Sequence, residues 1–336
     1  MIEYIARRLV LGMFTVWAIS VLAFIVIQLP EGDSVDLTLT RLSDSSDEFH
    51  NPELANELRK YFGLDAPLHI RYTRWAWNLL QGDLGLSIPA YRGWRIQVPV
   101  KKVIGDRLWL TVALTGFTMI VTWTLAIPIG IYSATRHHSI GDYAFTFVGF
   151  AGLAVPDFLL GLVLMYVAFA YFDQSVGGLF SADYANAHWG WPKVYDLIKH
   201  LWVPAVVLGT SGTASLIRIM RNNLLDELGK PYVISAQARG CHPVTVVFKY
   251  PVRIAINPLV STIGYLLPSL VSGSVIVSVV LSLPTLGPVL LDGILSQDSH
   301  LTGFIILMLG VLTVTGTLIS DILLAVVDPR IKLAEK

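Results

Sequence analysis

Charge is scarce in this sequence. Only 14% of its 336 residues are Asp, Glu, Lys or Arg, against about 25% in soluble chains. The 24 basic and 24 acidic residues cancel, so no field of one sign is present to attract a nucleic acid or another polyanion. A single cysteine, Cys241, excludes an internal disulfide and any cage of thiolate ligands. The GxxxxGKS/T phosphate loop is missing, as are HExxH and GxSxG. The chain therefore does not hold ATP in the P-loop manner, and neither a zinc-protease helix nor a nucleophile elbow is indicated. His137 and His138 are adjacent, a spacing that does not set two metal ligands on one helical face, and they read as a solvated loop. No cofactor or metal is expected.

Apolar residues are what the chain has in excess, at 54%, with a mean hydropathy of +0.62. Roughly 20 apolar residues at about 1.5 Å each cross the hydrocarbon core. Hydrocarbon offers backbone groups no water, so each such stretch must be a helix. Residues 9–29, 108–135, 143–172, 201–217, 254–291 and 301–320 qualify, which predicts an all-α membrane protein with about six transmembrane helices. The third stretch is interrupted by Asp157. The fifth contains Pro258, Pro268, Pro284 and Pro288 and is expected as a span plus an extracytoplasmic hairpin. Stretch 9–29 is too long for a signal-peptide core, and Leu29-Pro30-Glu31 is a poor cleavage site, so an uncleaved helix is predicted.

Lys and Arg in the short loops set the orientation. Arg7 and Arg8 precede the first span, six basic residues face Asp226 and Glu227 in residues 218–253, and Arg330, Lys332 and Lys336 close the chain. Both termini and the 218–253 loop are therefore expected in the cytoplasm. Residues 30–107 form a small extracytoplasmic cap. Within it Asn51-Pro52-Glu53 starts a helix, Leu54, Leu58, Tyr61 and Phe62 make its apolar stripe, and Gly63 ends it. Trp75, Trp77, Trp189, Trp191 and Trp202 suit the membrane–water interface.

Proline and glycine punctuate the cytoplasmic loop. Residues 221–228 continue the fourth helix into water, and Gly229 stops it. Pro231 starts a short helix that Gly240 ends, and His242-Pro243 starts a second that Pro251 closes. Ser235, Ala236 and Ala238 keep the first short helix thin, so another protein can approach its backbone. Such an elbow either transmits force between membrane helices or simply connects them.

Two features inside the spans bear on transport. Asp157 directly follows Pro156; an intramembrane carboxylate is costly and marks a functional site by default, although it can equally cap a helix that proline has broken. The fifth stretch carries Ser272, Ser274 and Ser278 among other small polar residues, which serve close packing or line a hydrated route.

Several motifs give the chain a family resemblance. They are Tyr4-Ile5-Ala6-Arg7-Arg8-Leu9, Gly63-Leu64-Asp65-Ala66-Pro67, Gly82-Asp83-Leu84-Gly85-Leu86-Ser87, LWVPAVVLG beginning at Leu201, and Asp328-Pro329-Arg330-Ile331. Above all, YVISAQARG from Tyr232 to Gly240 is followed by Tyr250-Pro251-Val252-Arg253. Almost end to end, the chain resembles the inner-membrane permease subunit of dipeptide/oligopeptide/nickel-type ABC importers. The resemblance implies the MetI-like permease fold. Its first part, residues 1–105, would be one transmembrane helix plus the cap. Residues 106–336 would be the transmembrane domain, with a coupling helix at about 231–250. It further implies that Tyr232, Ser235, Ala236, Ala238, Arg239, Gly240 and His242 dock on an ATPase. Asp157, Ser272, Ser274 and Ser278 would lie along the solute path. The implied partners are a second homologous permease, two ATPase subunits, an extracytoplasmic solute-binding protein and the lipid of a bacterial inner membrane. Oligopeptides lead the expected solutes, with oligosaccharides, nickel complexes and opine-like compounds behind.

The chain departs from the family pattern in places. Ile234 stands where the broad importer motif has Glu, Ser278 where relatives often carry Glu, and Thr285 where Pro-Gly-Leu-Gly has Gly. Three rival readings are weaker. An ion-coupled secondary transporter predicts inverted repeats and several buried carboxylates, an intramembrane hydrolase needs a histidine beside a deep serine, and a scaffold has no use for a proline-broken, serine-lined span.

Overall fold

The computed structural model describes residues 2–28, 35, 56–57, 59–60, 63–87, 98–172, 174, 177–273 and 275–327. Helix α1 (Ile2–Ile27) is followed by α2 (Leu68–Leu80) and by a two-residue antiparallel pair, β1 (Leu86–Ser87) with β2 (Val98–Pro99). Then come α3 (Val100–Thr135), α4 (Ile140–Ala154), α5 (Asp157–Phe172), the single turn α6 (Ala182–Ala185) and α7 (Trp191–Leu228). The short helices α8 (Pro231–Ala238), α9 (Pro243–Lys249) and α10 (Pro251–Ala255) lead into α11 (Asn257–Gly273), α12 (Val275–Val280), α13 (Leu286–Leu295) and α14 (Ser299–Val327).

Among the described residues, four helices are long and apolar enough to cross a bilayer: Ala6–Ile27, Val100–Thr135, Trp191–Leu228 and Ser299–Leu324. The expected span 143–172 is two helices, α4 and α5, meeting at 105°, and counts as a fifth crossing if the bent pair is one span. The bend has a local cause. Proline bars its predecessor from the helical region, and Val155 accordingly sits at φ −83°, ψ 126° before Pro156. The expected fifth stretch, 254–291, does not form one span-length helix. Its described residues divide among the end of α10, α11, α12 and α13, broken where Leu281 and Ser282 turn and Pro284 follows.

The chain forms two compact units. The first comprises Met1–Glu3, Val112–Pro284 and Thr315–Lys336. Its main apolar cluster joins Ala126, Ile131 and Ala134 of α3 to Leu216, Met220 and Leu224 of α7, and both to Val252, Ala255 and Leu259. The crossing is tight: a Cβ on Gly130 would stand 2.6 Å from Met220 Cβ and 3.2 Å from the Ile217 carbonyl oxygen. Because α10 and the start of α11 share this cluster, the elbow is anchored to it at both ends.

The second unit comprises Tyr4–Thr111 and Thr285–Val314. Val100, Val103 and Ile104 pack there against Leu286, Val289, Leu301 and Ile305, and the Leu286 amide donates to Thr111 Oγ1 at 2.9 Å. Trp77 is exposed, but Trp75 is buried in this unit. It joins Phe24 and Tyr72 in an aromatic cluster with centroids 5.6–6.1 Å apart. Of the helix expected after Asn51, residues 56–57 and 59–60 are helical and the rest falls outside the described residues. It ends as expected, with the Gly63 and Leu64 amides donating to the Lys60 and Arg59 carbonyls.

Gly130→Val should destabilise the fold by about 1–3 kcal/mol, the usual cost of overpacking, and lower the thermal unfolding midpoint of the detergent-solubilised protein. An unchanged midpoint would contradict the close α3–α7 crossing.

Candidate functional site

The elbow begins where α7 stops at Gly229. Pro231 opens α8, Pro243 opens α9 and Pro251 opens α10, each proline lying in a first turn where its missing N–H costs nothing. Helix α8 ends in a left-handed glycine cap. Gly240 has φ +76°, its amide donates to the Gln237 carbonyl at 2.9 Å, and the Cys241 amide donates to the Ala236 carbonyl at 3.4 Å. A side chain at position 240 would be strained even though nothing crowds it.

Val233, Ala236 and Val246 form the buried interior of the elbow, flanked by Tyr232 and Tyr250. Ser235, Ala238, Arg239, Gly240 and His242 are exposed on its outside. Of the residues singled out in the sequence, five therefore share the outer surface, while Ala236 is buried and Tyr232 half-buried. The outer surface also shows Ile234, Val244 and Phe248, all more than half exposed. Sequence reasoning missed these apolar residues; the signal was their presence in short, proline-bounded helices too small to bury them.

Glu227 joins the elbow to α7. Its carboxylate accepts from both Lys230 Nζ and the Tyr232 hydroxyl and is itself buried. One turn and a half earlier, Arg221 grips Asp142 of α4 with two parallel bonds, Nε to Oδ1 at 2.9 Å and Nη2 to Oδ2 at 3.0 Å. Planar fork-to-carboxylate pairing of this kind is strong and directional. Asp142 also receives the His138 amide at 3.0 Å, while the Ser139 side chain accepts the Asp142 amide at 3.2 Å. The α3–α4 loop, the start of α4 and the lower part of α7 are thus fastened at one carboxylate that is 1% exposed.

Asp157 opens α5 just past the bend and is partly buried. Among the described residues it makes no side-chain hydrogen bond, and its position at a helix N-terminus is electrostatically favourable. Ser278 is fully buried on α12, which packs against α5. No bond joins it to Asp157. Ser274 and the side chain of Ser272 lie outside the described residues.

The family described as "Binding-protein-dependent transport system inner membrane component" matches residues 126–333, which contain the whole elbow. The chain is 33% identical over 332 residues to the oligopeptide transport system permease protein AppB of Bacillus subtilis, covering 99% of this chain and 100% of that one. It is 27% identical to the dipeptide transport system permease protein DppB of Escherichia coli, with 99% of each covered. Among solved structures, an inward-facing MetNI methionine ABC transporter has a chain superposing with a TM-score of 0.52 at 18% identity, over 68% of this chain and 98% of that one. At that identity the likeness concerns the fold.

Asp142→Asn should cost about 3 kcal/mol, since removing one partner strands the other's charge. The Asp142→Asn/Arg221→Met double variant should regain part of it. Thermal unfolding in detergent reads both, and a wild-type midpoint for Asp142→Asn would show that the clamp does not hold α4 to α7.

Proposed function

The chain belongs to the family of binding-protein-dependent transport system inner membrane components, and from that premise we propose that it forms half of a pathway for short peptides or similar small solutes, with its elbow as the seat of a partner ATPase. As a permease subunit of an ATP-driven importer it is not an ion-coupled secondary transporter. The peptide assignment rests on the relatives named for oligopeptide and dipeptide transport. A second, homologous permease completes the pathway, two ATPase subunits dock from the cytoplasm, and a solute-binding protein delivers from outside. Both termini and the elbow are cytoplasmic, following the distribution of Lys and Arg.

The observation that carries the docking assignment is the outer surface of the elbow. Ser235, Ala238, Arg239, Gly240 and His242 lie there beside Ile234, Val244 and Phe248. Apolar side chains left more than half exposed on short, rigid helices support an interaction surface rather than a solvated loop. Its interior is packed and its ends are tied to α7 and α11, so displacement of the elbow becomes displacement of membrane helices. Glu227 passes motion of α8 to α7 through Tyr232 and Lys230. The Arg221–Asp142 pair passes it on to α4, and the bend at Val155–Pro156 stands between α4 and Asp157. Alternating access then needs the ATPases to bind one arrangement of the two elbows more tightly than the other. Asp157 and Ser278 are assigned to the solute path on their positions in α5 and α12, with Ser272 and Ser274 following from the same segment of sequence.

Gly240→Arg should leave the protein inserted in the membrane while abolishing ATP-dependent uptake of a labelled peptide and the co-purification of a P-loop ATPase. Uptake at the wild-type rate by that variant would refute the docking assignment.

A further inference from the structure

The contact between α4 and α7 leaves a cavity of about 270 Å³ within the first unit. We propose that it seats one anionic phospholipid, with the phosphate on Arg218 and an acyl chain among Phe145, Phe150 and Leu153.

The spacing of Ala214, Ile217, Arg218 and Arg221 sets them on one face of α7, and all four line the cavity together with Asn222. Its floor is made of small residues. A Cβ on Gly149 would stand 3.5 Å from Ala214 Cβ, so the helices approach closely there and the larger side chains form walls. Phe145, Phe150 and Leu153 line it from α4, and all three are exposed. Because Asp142 meets Arg221 while Gly149 faces Ala214, α4 runs antiparallel to α7 and carries Phe150 and Leu153 to the apolar side of Arg218.

The basic end holds one uncompensated charge. Arg221 commits Nε and Nη2 to Asp142, which cancels its own. Arg218 is exposed and, like Asn222, makes no side-chain hydrogen bond or ion pair among the described residues. No Asp or Glu lines the cavity. A single positive charge with guanidinium and amide donors beside it is the complement of one phosphodiester. The added cation of a zwitterionic headgroup would find no acidic partner here. Depth selects a lipid over a soluble anion. Residues 200–217 contain no Asp, Glu, Lys or Arg and rise about 27 Å, close to the thickness of the hydrocarbon core. Arg218 is the first charge beyond them, so it stands where phosphates lie, and basic pockets between spanning helices suit such headgroups.

The site goes beyond the importer reading; only its leaflet, the inner one, follows from the orientation proposed above. The test places the full importer complex in phosphatidylcholine nanodiscs doped with photoreactive phosphatidylglycerol or photoreactive phosphatidylcholine. Both probes carry the diazirine on an acyl chain, and adducts are mapped by mass spectrometry. Phosphatidylglycerol should label residues 145–153 and 214–217 about fivefold more than phosphatidylcholine, the preference that one arginine confers toward anionic lipid. Arg218→Gln should bring the two yields together. Arg136→Gln, which removes an exposed charge from the α3–α4 loop, should leave the preference intact, and excess inorganic phosphate should not reduce it. Equal labelling of wild type by the two probes, or a preference that survives Arg218→Gln or is lost in Arg136→Gln, would overturn the proposal. So would displacement by inorganic phosphate, which would mark a small-anion site. Labelling of the chain alone but not of the complex would also overturn it and give this face to the second permease. The assay uses neither ATP nor the elbow, so failure of the docking assignment leaves its outcome unaffected.

Discussion

Asp142 is the fixed point of the first unit. Its carboxylate is almost wholly buried, receives both arms of the Arg221 guanidinium and a backbone amide, and lies at the head of α4. A buried charge is tolerable only with such full pairing, and satisfying it requires α4 and α7 to meet at one register. The elbow itself starts where Gly229 ends α7. Glu227 continues the same logic six residues on, with Lys230 and Tyr232 as its partners. Two acidic residues in a charge-poor chain thereby link the elbow to the bent pair α4–α5.

The features that were legible in the sequence are local ones. Pro231, Gly240, Pro243 and Pro251 each dictate the backbone within a residue or two, so the bounds of α8 and α9 could be read directly from them. Long apolar stretches marked four helices for the same reason, since crossing hydrocarbon is a matter of length and composition. Pro156 announced a break, though not that its two arms would meet at 105°, an angle set by what each arm packs against.

What was not legible depends on distant partners. Asp142 and Arg221 are 79 positions apart, and Ser139-x-x-Asp142 signals only a helix start. Trp75 and Trp77 look alike in sequence, yet one is buried and the other surface, because only the packing of α1, α2 and α14 distinguishes the two faces. Ser278 is one of a run of small polar residues in the sequence; the structure buries it on α12, a helix that packs against α5. The residues expected to dock on an ATPase divided by burial in a way that spacing could not show, with Ala236 and Tyr232 holding the elbow together from within.

Nature has supplied the probe for the central claim. Cys241 is the chain's one cysteine, it is exposed, and it stands between Gly240 and His242 on the outer surface of the elbow. A thiol-directed photo-crosslinker attached there in inside-out native membranes, followed by purification of the tagged chain and mass spectrometry, asks directly what the elbow touches. The account predicts an adduct with a P-loop ATPase, formed only when the cytoplasmic face is accessible. Labelling of Cys241 by an impermeant reagent from the outer face, or adducts with lipid alone, would contradict it.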